Sequence, residues 1–373
     1  MSNNFVLIVA TSGRMLAQQA RRSGFKPLVI DLFADLDTCE IAEDVRQVKS
    51  LASSDLAQAI TDFRTIYQVN DVVYGSGFEK NIQSLWFLHE KLNLLGNSPD
   101  VFANIQDKAR LFNVLLENNI AFPEVCFSRP SSGKWLIKPV QSEGGIGIRH
   151  DKGNKYLDDC CYWQKLLEGE SLSVLFIADG ENAHILGFNK QWTISHTKNQ
   201  AFVFSGIHNL AELSIDNKEI IFNWLAKLVS HFYLRGLNSV DFILYQEQCY
   251  FLEINPRPSA SMELYDTDLL AAHIESASDL KAETHFVQEI HKGYQIIYAA
   301  RDILIPEEII WPEWTQDRPK DGLTIHKEQP VCSIIANGES SEQVLSKLKT
   351  RQQIIENSLT EGKSYHAIHS ECQ

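Results

Sequence analysis

The chain is short of methionine, of paired cysteine and of positive charge. Its 373 residues include three Met and seven Cys. Cys39, Cys126, Cys160, Cys161, Cys249, Cys332 and Cys372 make no CxxC pair, and the adjacent Cys160 and Cys161 would form a strained disulfide. The expectation is reduced thiols, no zinc site and a cytoplasmic location. Lys plus Arg total 34 against 48 Asp plus Glu, a formal charge of −14. That balance excludes nucleic acid or an anionic membrane as the main partner, while leaving room for a local basic pocket around a phosphate. Long apolar runs are missing too. The first, Phe5–Ala10, has six residues and no basic segment before it. A signal peptide needs about 7–15 apolar residues and a membrane span about 20. Two phosphate-loop patterns are absent: GxGxxG from the first turn, Ala10–Arg14, and GxxxxGK[ST] from the chain. A dinucleotide site is therefore disfavoured. No internal repeat or low-complexity tract is visible.

What is present is an ordinary globular composition, 44% hydrophobic and 22% charged. At about 150 residues per domain the length predicts two to three domains. The first hundred residues alternate strand and helix. Phe5–Ala10 reads as a strand, Arg14–Ser23 as a helix with Leu16, Ala17 and Ala20 on one face, and Gly24 as its stop. Pro27–Leu32 and Val69–Tyr74 read as further strands, and Glu79–Leu92 as a helix. Helices between strands imply a parallel sheet with ligands at the carboxyl ends of its strands. Asn97-Ser98-Pro99 punctuates the chain. The expected division is a Rossmann-like domain at 1–98, a central domain at 99–292, and a small β-rich cap with a terminal helix at 293–373. The fold class is α/β, or α+β.

Four stretches carry chemistry. Ser239–Asn255, SVDFILYQEQCYFLEIN, reads as a β-hairpin turning near Glu247, which sets Asp241 opposite Glu253. Side chains alternate faces along a strand. Asp241, Glu253 and Asn255 then share one face, and Phe242, Leu244, Leu252 and Ile254 the core face. Two carboxylates across a ladder repel, and a divalent cation reverses that sign. Oxygen ligands of this kind suit Mg²⁺ or Mn²⁺. The second stretch, Trp135–His150, ends a strand in Lys138-Pro139 and follows it with Glu143, Gly144, Gly145, Ile146 and Gly147. Glycines let backbone amides approach phosphate oxygens, and lysine adds charge. A plain glycine hairpin would read the same way. The third is Lys108, at the start of a helix. The fourth, Trp163–Val174, is a connector with Gln164, Lys165, Leu166 and Glu170 that suits an adenine slot or a simple turn.

In that order the four elements resemble the ATP-grasp superfamily, with its ending E-I-N-P-R-P at Glu253–Pro258. The resemblance implies an ATP-grasp fold with ATP and Mg²⁺ (or Mn²⁺) as cofactors. Lys108 and Lys138 would hold the α and β phosphates, and the 143–147 loop would close over the γ-phosphate. The backbone of Gln164 and Leu166 would read adenine, and Glu170 or its neighbour Ser171 the ribose. Asp241, Glu253 and Asn255 would carry the metal, with Arg257 and Lys138 catalytic. SGRMLAQQARRSGFKPLVIDLFADLDT, YGSGFE and EINPRPSASMELYD look similar to tyramine–glutamate ligases of methanofuran-type cofactor synthesis. YAARDILIP, DRPKDG and PVCSIIANG resemble the cap of carboxylase-like ATP-grasp enzymes. The implied reaction joins a carboxylate to an amine through an acyl phosphate. The substrates would lie near Glu79, His208, Ser259, Ser261 and the rest of Arg257–Glu263, where an arginine fork suits a carboxylate. Glu79 and His208 are the candidate bases. Another ATP-grasp chemistry, including carboxylation, and a non-catalytic nucleotide-binding scaffold stay open. Expected partners are a small carboxylate and an amine, with a homodimer as one assembly.

Overall fold

The computed structural model describes residues 4–153, 160–196, 200–277 and 290–361. Its first part is a five-stranded parallel sheet of β1 (Phe5–Val9), β2 (Lys26–Asp31), β3 (Asp44–Gln47), β4 (Asp71–Tyr74) and β5 (Asn93–Leu95), in the order β3-β2-β1-β4-β5. Between its strands run α1 (Arg14–Arg22), α2 (Leu36–Ile41), α3 (Ser53–Tyr67) and α4 (Ile82–Lys91). β1 and β2 are apolar and buried almost throughout, as a parallel sheet covered on both faces requires. α1 buries Leu16, Ala17 and Ala20, and Gly24 leaves it at a φ of 78°. The helix expected from Glu79 begins at Ile82, so Glu79 lies in the turn before it.

The expected boundary at Asn97-Ser98-Pro99 is a buried joint. Asn97 donates to Asn238 Oδ1 (2.8 Å) and to the Pro256 carbonyl (3.0 Å), and it accepts from the Arg235 amide (2.8 Å). Ser98 Oγ accepts from the Val101 amide and caps α5 (Pro99–Gln106), with Pro99 in its first turn. Asp107 caps α6 (Lys108–Glu117) through the Arg110 amide (3.0 Å), which places Lys108 at the helix's first position.

A small antiparallel sheet follows: β6 (Val125–Cys126), β7 (Trp135–Pro139), β8 (Arg149–His150) and β9 (Cys161–Lys165), in the order β6-β9-β7-β8. The largest sheet has eight strands. β10 (Glu170–Asp179), β11 (Ala183–Ile194), β12 (Val203–His208), β13 (Arg235–Tyr245) and β14 (Gln248–Asn255) enter it first, and α7 (Ile215–Phe232) links β12 to β13. After α8 (Leu269–Ala277), the chain adds β15 (His291–Tyr298), β17 (Thr315–Gln316) and β19 (Pro330–Gly338) to this same sheet. β16 (Ile303–Leu304) and β18 (Thr324–Ile325) form a separate pair, and α9 (Ser341–Glu361) ends the described chain. The segment from 293 therefore continues the central sheet: Gly206 pairs with Gln295 across β12 and β15. One core joins Val6, Ile8, Leu16 and Ala17 of the first part to Leu175, Ile177 and Leu237 of the large sheet. A second packs α7 on Val174, Phe176, Val240 and Phe242.

The hairpin of β13 and β14 departs from the regular one expected. Its turn lies between Gln246 and Glu247, both at positive φ, where Tyr245 pairs with Gln248. A β-bulge between Asp241 and Phe242 then shifts the register by one residue, and beyond it Asp241 faces Glu253. The bulge also moves Leu252 off the core face predicted for it. Phe251 and Ile254 are buried, and Leu252 lines the cleft.

Among the described residues Cys39, Cys126, Cys160, Cys161, Cys249 and Cys332 form no disulfide, and Cys372 lies outside them. Among the described residues no helix is long and apolar enough to cross a membrane.

Candidate active site

The three sheets and the loops after β1, β4 and β14 enclose one cleft of about 1060 Å³. That matches the upper end of small-ligand sites, about 300–1,000 Å³. Alternation along the strands decides what it sees. Ser171 and Ser173 of β10, Gln191 of β11, Ser239 and Asp241 of β13, and Glu253 and Asn255 of β14 all line it.

Asp241 is the most perturbed acid of this wall. Burial and then the facing Glu253 push its carboxyl up to about 7. The Asn255 amide (3.2 Å) and the Gln191 amide (3.3 Å) donate to it and pull the other way. Gln191 was not legible as a site residue, because only the strand pairing brings β11 beside Asp241. Lys108 Nζ lies 3.9 Å from Glu253 Oε1. Lys138 lies at the end of β7, and its Nζ donates to Gln164 Oε1 (3.2 Å). Burial lowers the Lys138 ammonium below its ordinary value, against the pull of Glu253 and Asp241. Two buried lysines thus converge on two carboxylates. A ligand carrying both anionic groups and a hard cation satisfies all four, and the oxygen donors of Asp241, Glu253 and Asn255 fit Mg²⁺ or Mn²⁺.

The glycine-rich loop packs across the cleft. Gly145 (φ 74°) sits so close to the 202–203 backbone that a Cβ would stand 1.8 Å from the Phe202 carbonyl oxygen. The Phe204 amide donates to the Gly144 carbonyl (2.8 Å). Gly144 and Gly147 also have positive φ, and Ile146 is exposed. Glu143 reaches inward to within 3.9 Å of the Arg257 guanidinium.

Arg257 is buried and held by Glu79, which accepts from Nε (2.8 Å) and from a terminal nitrogen (2.6 Å) on one oxygen. Burial pulls the Glu79 carboxyl up, and Arg257, helped by a backbone amide and Glu143, more than offsets it and holds the group below the usual range. Glu143 has the poorer share of the same cation. Burial, then Glu79, raises it to about 7. Glu79 also accepts from the Gly77 amide (3.1 Å), so it orients Arg257 and is not the free base expected. Ser259 and Ser261 line the cleft and share a hydrogen bond (2.9 Å).

Three further expectations need correction. His208 is buried on the strand face turned from the cleft, with its ring against Trp192 and its Nδ1 at the Asn209 carbonyl (2.9 Å). Burial lowers its pKa, and the adjacent Ile207 lines the cleft in its place. Glu170 points to the other face of β10 and pairs with exposed Lys190 (2.9 Å), so Ser171 is the cleft residue of that pair. The Leu166 amide donates to the Lys134 carbonyl (3.0 Å) and the Lys165 amide to the Glu124 carbonyl (2.8 Å). The Leu166 N–H expected to read the base is therefore taken, while Gln164, Lys165 and Leu166 line the cleft beside Leu167, Glu168 and Gly169.

Comparison with known proteins agrees with this geometry. Residues 105–261 match the model of a family described as the ATP-grasp domain. An uncharacterized protein of Methanocaldococcus jannaschii is 24% identical over 264 residues, 65% of this chain and 64% of its own length. Among solved structures, biotin carboxylase of Campylobacter jejuni superposes with a TM-score of 0.74 at 13% identity, covering 97% of this chain and 98% of that one. The L-amino acid ligase of Bacillus licheniformis gives 0.71 at 14% identity, over 94% and 97%. Residues 105–261 thus match the ATP-grasp domain model, and the chain as a whole has the ATP-grasp fold.

Proposed function

We propose that this protein is an ATP-dependent carboxylate–amine ligase that works through an acyl phosphate. One observation carries the reading: Asp241 and Glu253 face each other across β13 and β14 in the cleft that also holds Lys138, with Lys108 3.9 Å from Glu253. ATP-grasp enzymes use ATP and Mg²⁺, and this donor set fits both.

In this reading a substrate carboxylate oxygen attacks the γ-phosphorus of ATP, the bond to the β-phosphate oxygen breaks, and ADP leaves. An amine nitrogen then attacks the acyl carbon, loses a proton and expels phosphate, leaving an amide. Mg²⁺ held by Asp241, Glu253 and Asn255 would supply charge neutralisation on the phosphate oxygens. Lys108 and Lys138 hold and neutralise the phosphates, and Arg257, fixed by Glu79, presents a preorganised positive charge. The Glu143–Gly147 loop covers the reacting end, and Ser171 is the residue of β10 nearest in kind to a ribose contact. Base recognition falls to the backbone from Leu167 onward, beyond the amides already spent.

The resemblance to tyramine–glutamate ligases makes glutamate and a tyrosine- or tyramine-like amine the first pair to assay. The biotin carboxylase fold makes bicarbonate the competing carboxyl group. The test is ADP release from MgATP over a panel of carboxylates and bicarbonate, each with and without amines, with the product weighed by mass spectrometry. ADP release that needs both a carboxylate and an amine, with a product of amide mass, supports the reading. Release dependent on bicarbonate alone, or nucleotide binding with no turnover on any pair, refutes it.

A further inference from the structure

The loops after β1, β2 and β14 meet the chain after β17 at a second buried arginine. Arg14 donates through Nε to Asp317 (2.8 Å), through one terminal nitrogen to Gln18 (3.1 Å), and through the other to Glu263. These residues come from three distant parts of the chain. Asp37 stands close by, accepting from the amides of Asp317 (2.9 Å) and Arg318 (3.1 Å). Asp31 accepts three backbone amides, those of Gly13, Phe33 and Ala34. The guanidinium of Arg318 goes to Glu40, away from the group.

Asp35 is the one left over. It is 7% exposed and lines the cleft, and among the described residues its carboxylate has no hydrogen bond or ion pair. A buried carboxylate without a partner is costly, and three other acids, Asp317, Glu263 and Asp37, already surround the neighbouring cation, Arg14. Its environment agrees: burial, then Asp317, Asp31 and Asp37, raise Asp35 to about 8.

We infer that this corner of the cleft is a subsite for an organic primary ammonium, received by Asp35 beside the Arg14–Asp317–Glu263 cluster. An ammonium brings three donors and the positive charge the corner lacks. A carboxylate ligand would add a further negative charge to a surplus. A metal ion is the weaker occupant, since among the described residues no group of three or more His, Cys, Asp and Glu is placed to hold one. Met15, Phe33 and Ile296 line the cleft as well and offer contact to an apolar body. The inference rests on the ligase reading for its role, where this ammonium belongs to the amine substrate, but it stands on its own as a binding site.

Calorimetric titration of the full chain tests it. The probes are 2-phenylethylamine, its neutral analogue 2-phenylethanol, 3-phenylpropanoate and MgCl₂ alone, against wild type, Asp35→Asn and Asp35→Glu. Asp35 precedes α2 at its N-cap, where Asn serves as well as Asp, so Asp35→Asn is expected to fold. Expected is saturable binding of the amine, weakened about 10-fold or more in Asp35→Asn and by less in Asp35→Glu. The alcohol and the carboxylate bind more weakly than the amine to wild type, a comparison that needs no variant. Equal binding of amine and alcohol, preference for the carboxylate, or unchanged amine affinity in Asp35→Asn overturns the inference, as does displacement of the amine by Mg²⁺ alone. A parallel titration with the Mg²⁺ complex of adenosine 5′-(β,γ-imido)triphosphate separates the two claims. Failure there, with amine binding intact, sinks the ligase reading and leaves the subsite. Success there, without Asp35-dependent amine binding, does the reverse.

Discussion

Two regions of the cleft repeat one arrangement to opposite effect. In each, a buried arginine meets several carboxylates, binds one well and leaves another short of partners. Arg257 holds Glu79 below its ordinary value and leaves Glu143 at about 7. Arg14, with the hydroxyls of Ser333 and Ser12, likewise overcomes the effect of burial on Asp317 and lowers it, and Asp35 is left at about 8. The difference is in what surrounds them. Lys108 and Lys138 converge near the first, whereas Asp31, Asp37 and Glu263 crowd the second. Similar local pairs therefore face a region suited to an anion and one suited to a cation. On the proposed reading the background charge, and not the arginine, sets which ligand each accepts.

The largest effect should come from removing a carboxylate of the lysine-rich region. Glu253→Ala is expected to lower ADP release by about 10³-fold or more while thermal unfolding stays close to wild type. Turnover within a few-fold of wild type would break the contrast between the regions. Glu79→Gln comes next, because it strips a buried arginine of the carboxylate that accepts both its Nε and a terminal nitrogen. A stability loss of about 3–5 kcal/mol in denaturant unfolding is expected. The same experiment on Glu143→Gln should cost far less, and equal losses would mean that Arg257 does not discriminate between its acids.

Gly145→Ala sharpens the comparison at the loop that carries Glu143. Its new methyl meets the Phe202 carbonyl, and its φ disfavours any side chain. A loss of about 1–3 kcal/mol and a raised KM for ATP are expected, with the Asp35 corner unchanged. Asp35→Asn should act through pH. The folded chain keeps that proton up to about 8, while the unfolded chain loses it near 3.8. The native state therefore binds more protons across that window, and wild-type stability falls as pH rises through it. Asparagine removes the decline. Scanning calorimetry should place the variant Tm above wild type by about 2–4 °C at pH 8.5, with the gap closing toward pH 4. A gap that widens on acidification would reverse the assigned sign. The smallest effect belongs to Glu170→Ala, which breaks an exposed pair with Lys190. It should change stability by under about 1 kcal/mol and leave the KM for ATP alone, whereas Ser171→Ala should raise that KM.

Much of the fold was legible because local rules carry it. Apolar runs marked β1, β2 and β4, the segment opening at Lys108 marked a helix start, and alternation put Asp241, Glu253 and Asn255 on one face. Linear order also marked Lys108, Lys138 and the glycines of one loop. Elsewhere side-chain direction depended on details that spacing does not encode. The facing of Asp241 and Glu253 follows from two offsetting departures, a tight turn at Gln246-Glu247 and a bulge that turns Leu252 into the cleft. Glu170 and Ser171 are neighbours on paper and lie on opposite faces of β10, and His208 differs from Ile207 in the same way.

Glu79 and the Arg14 cluster mark the limit. The sequence alone marked several of the strands and helices and the residues expected to bring phosphate-binding and metal-binding chemistry, because both readings depend on short-range spacing. Only the tertiary structure decided that Glu79 is bound to Arg257 178 residues away, and that Asp317 joins Arg14 across 303. Partner choice among buried charges depends on burial and on every other charge nearby, and both exist only once the distant segments have packed together.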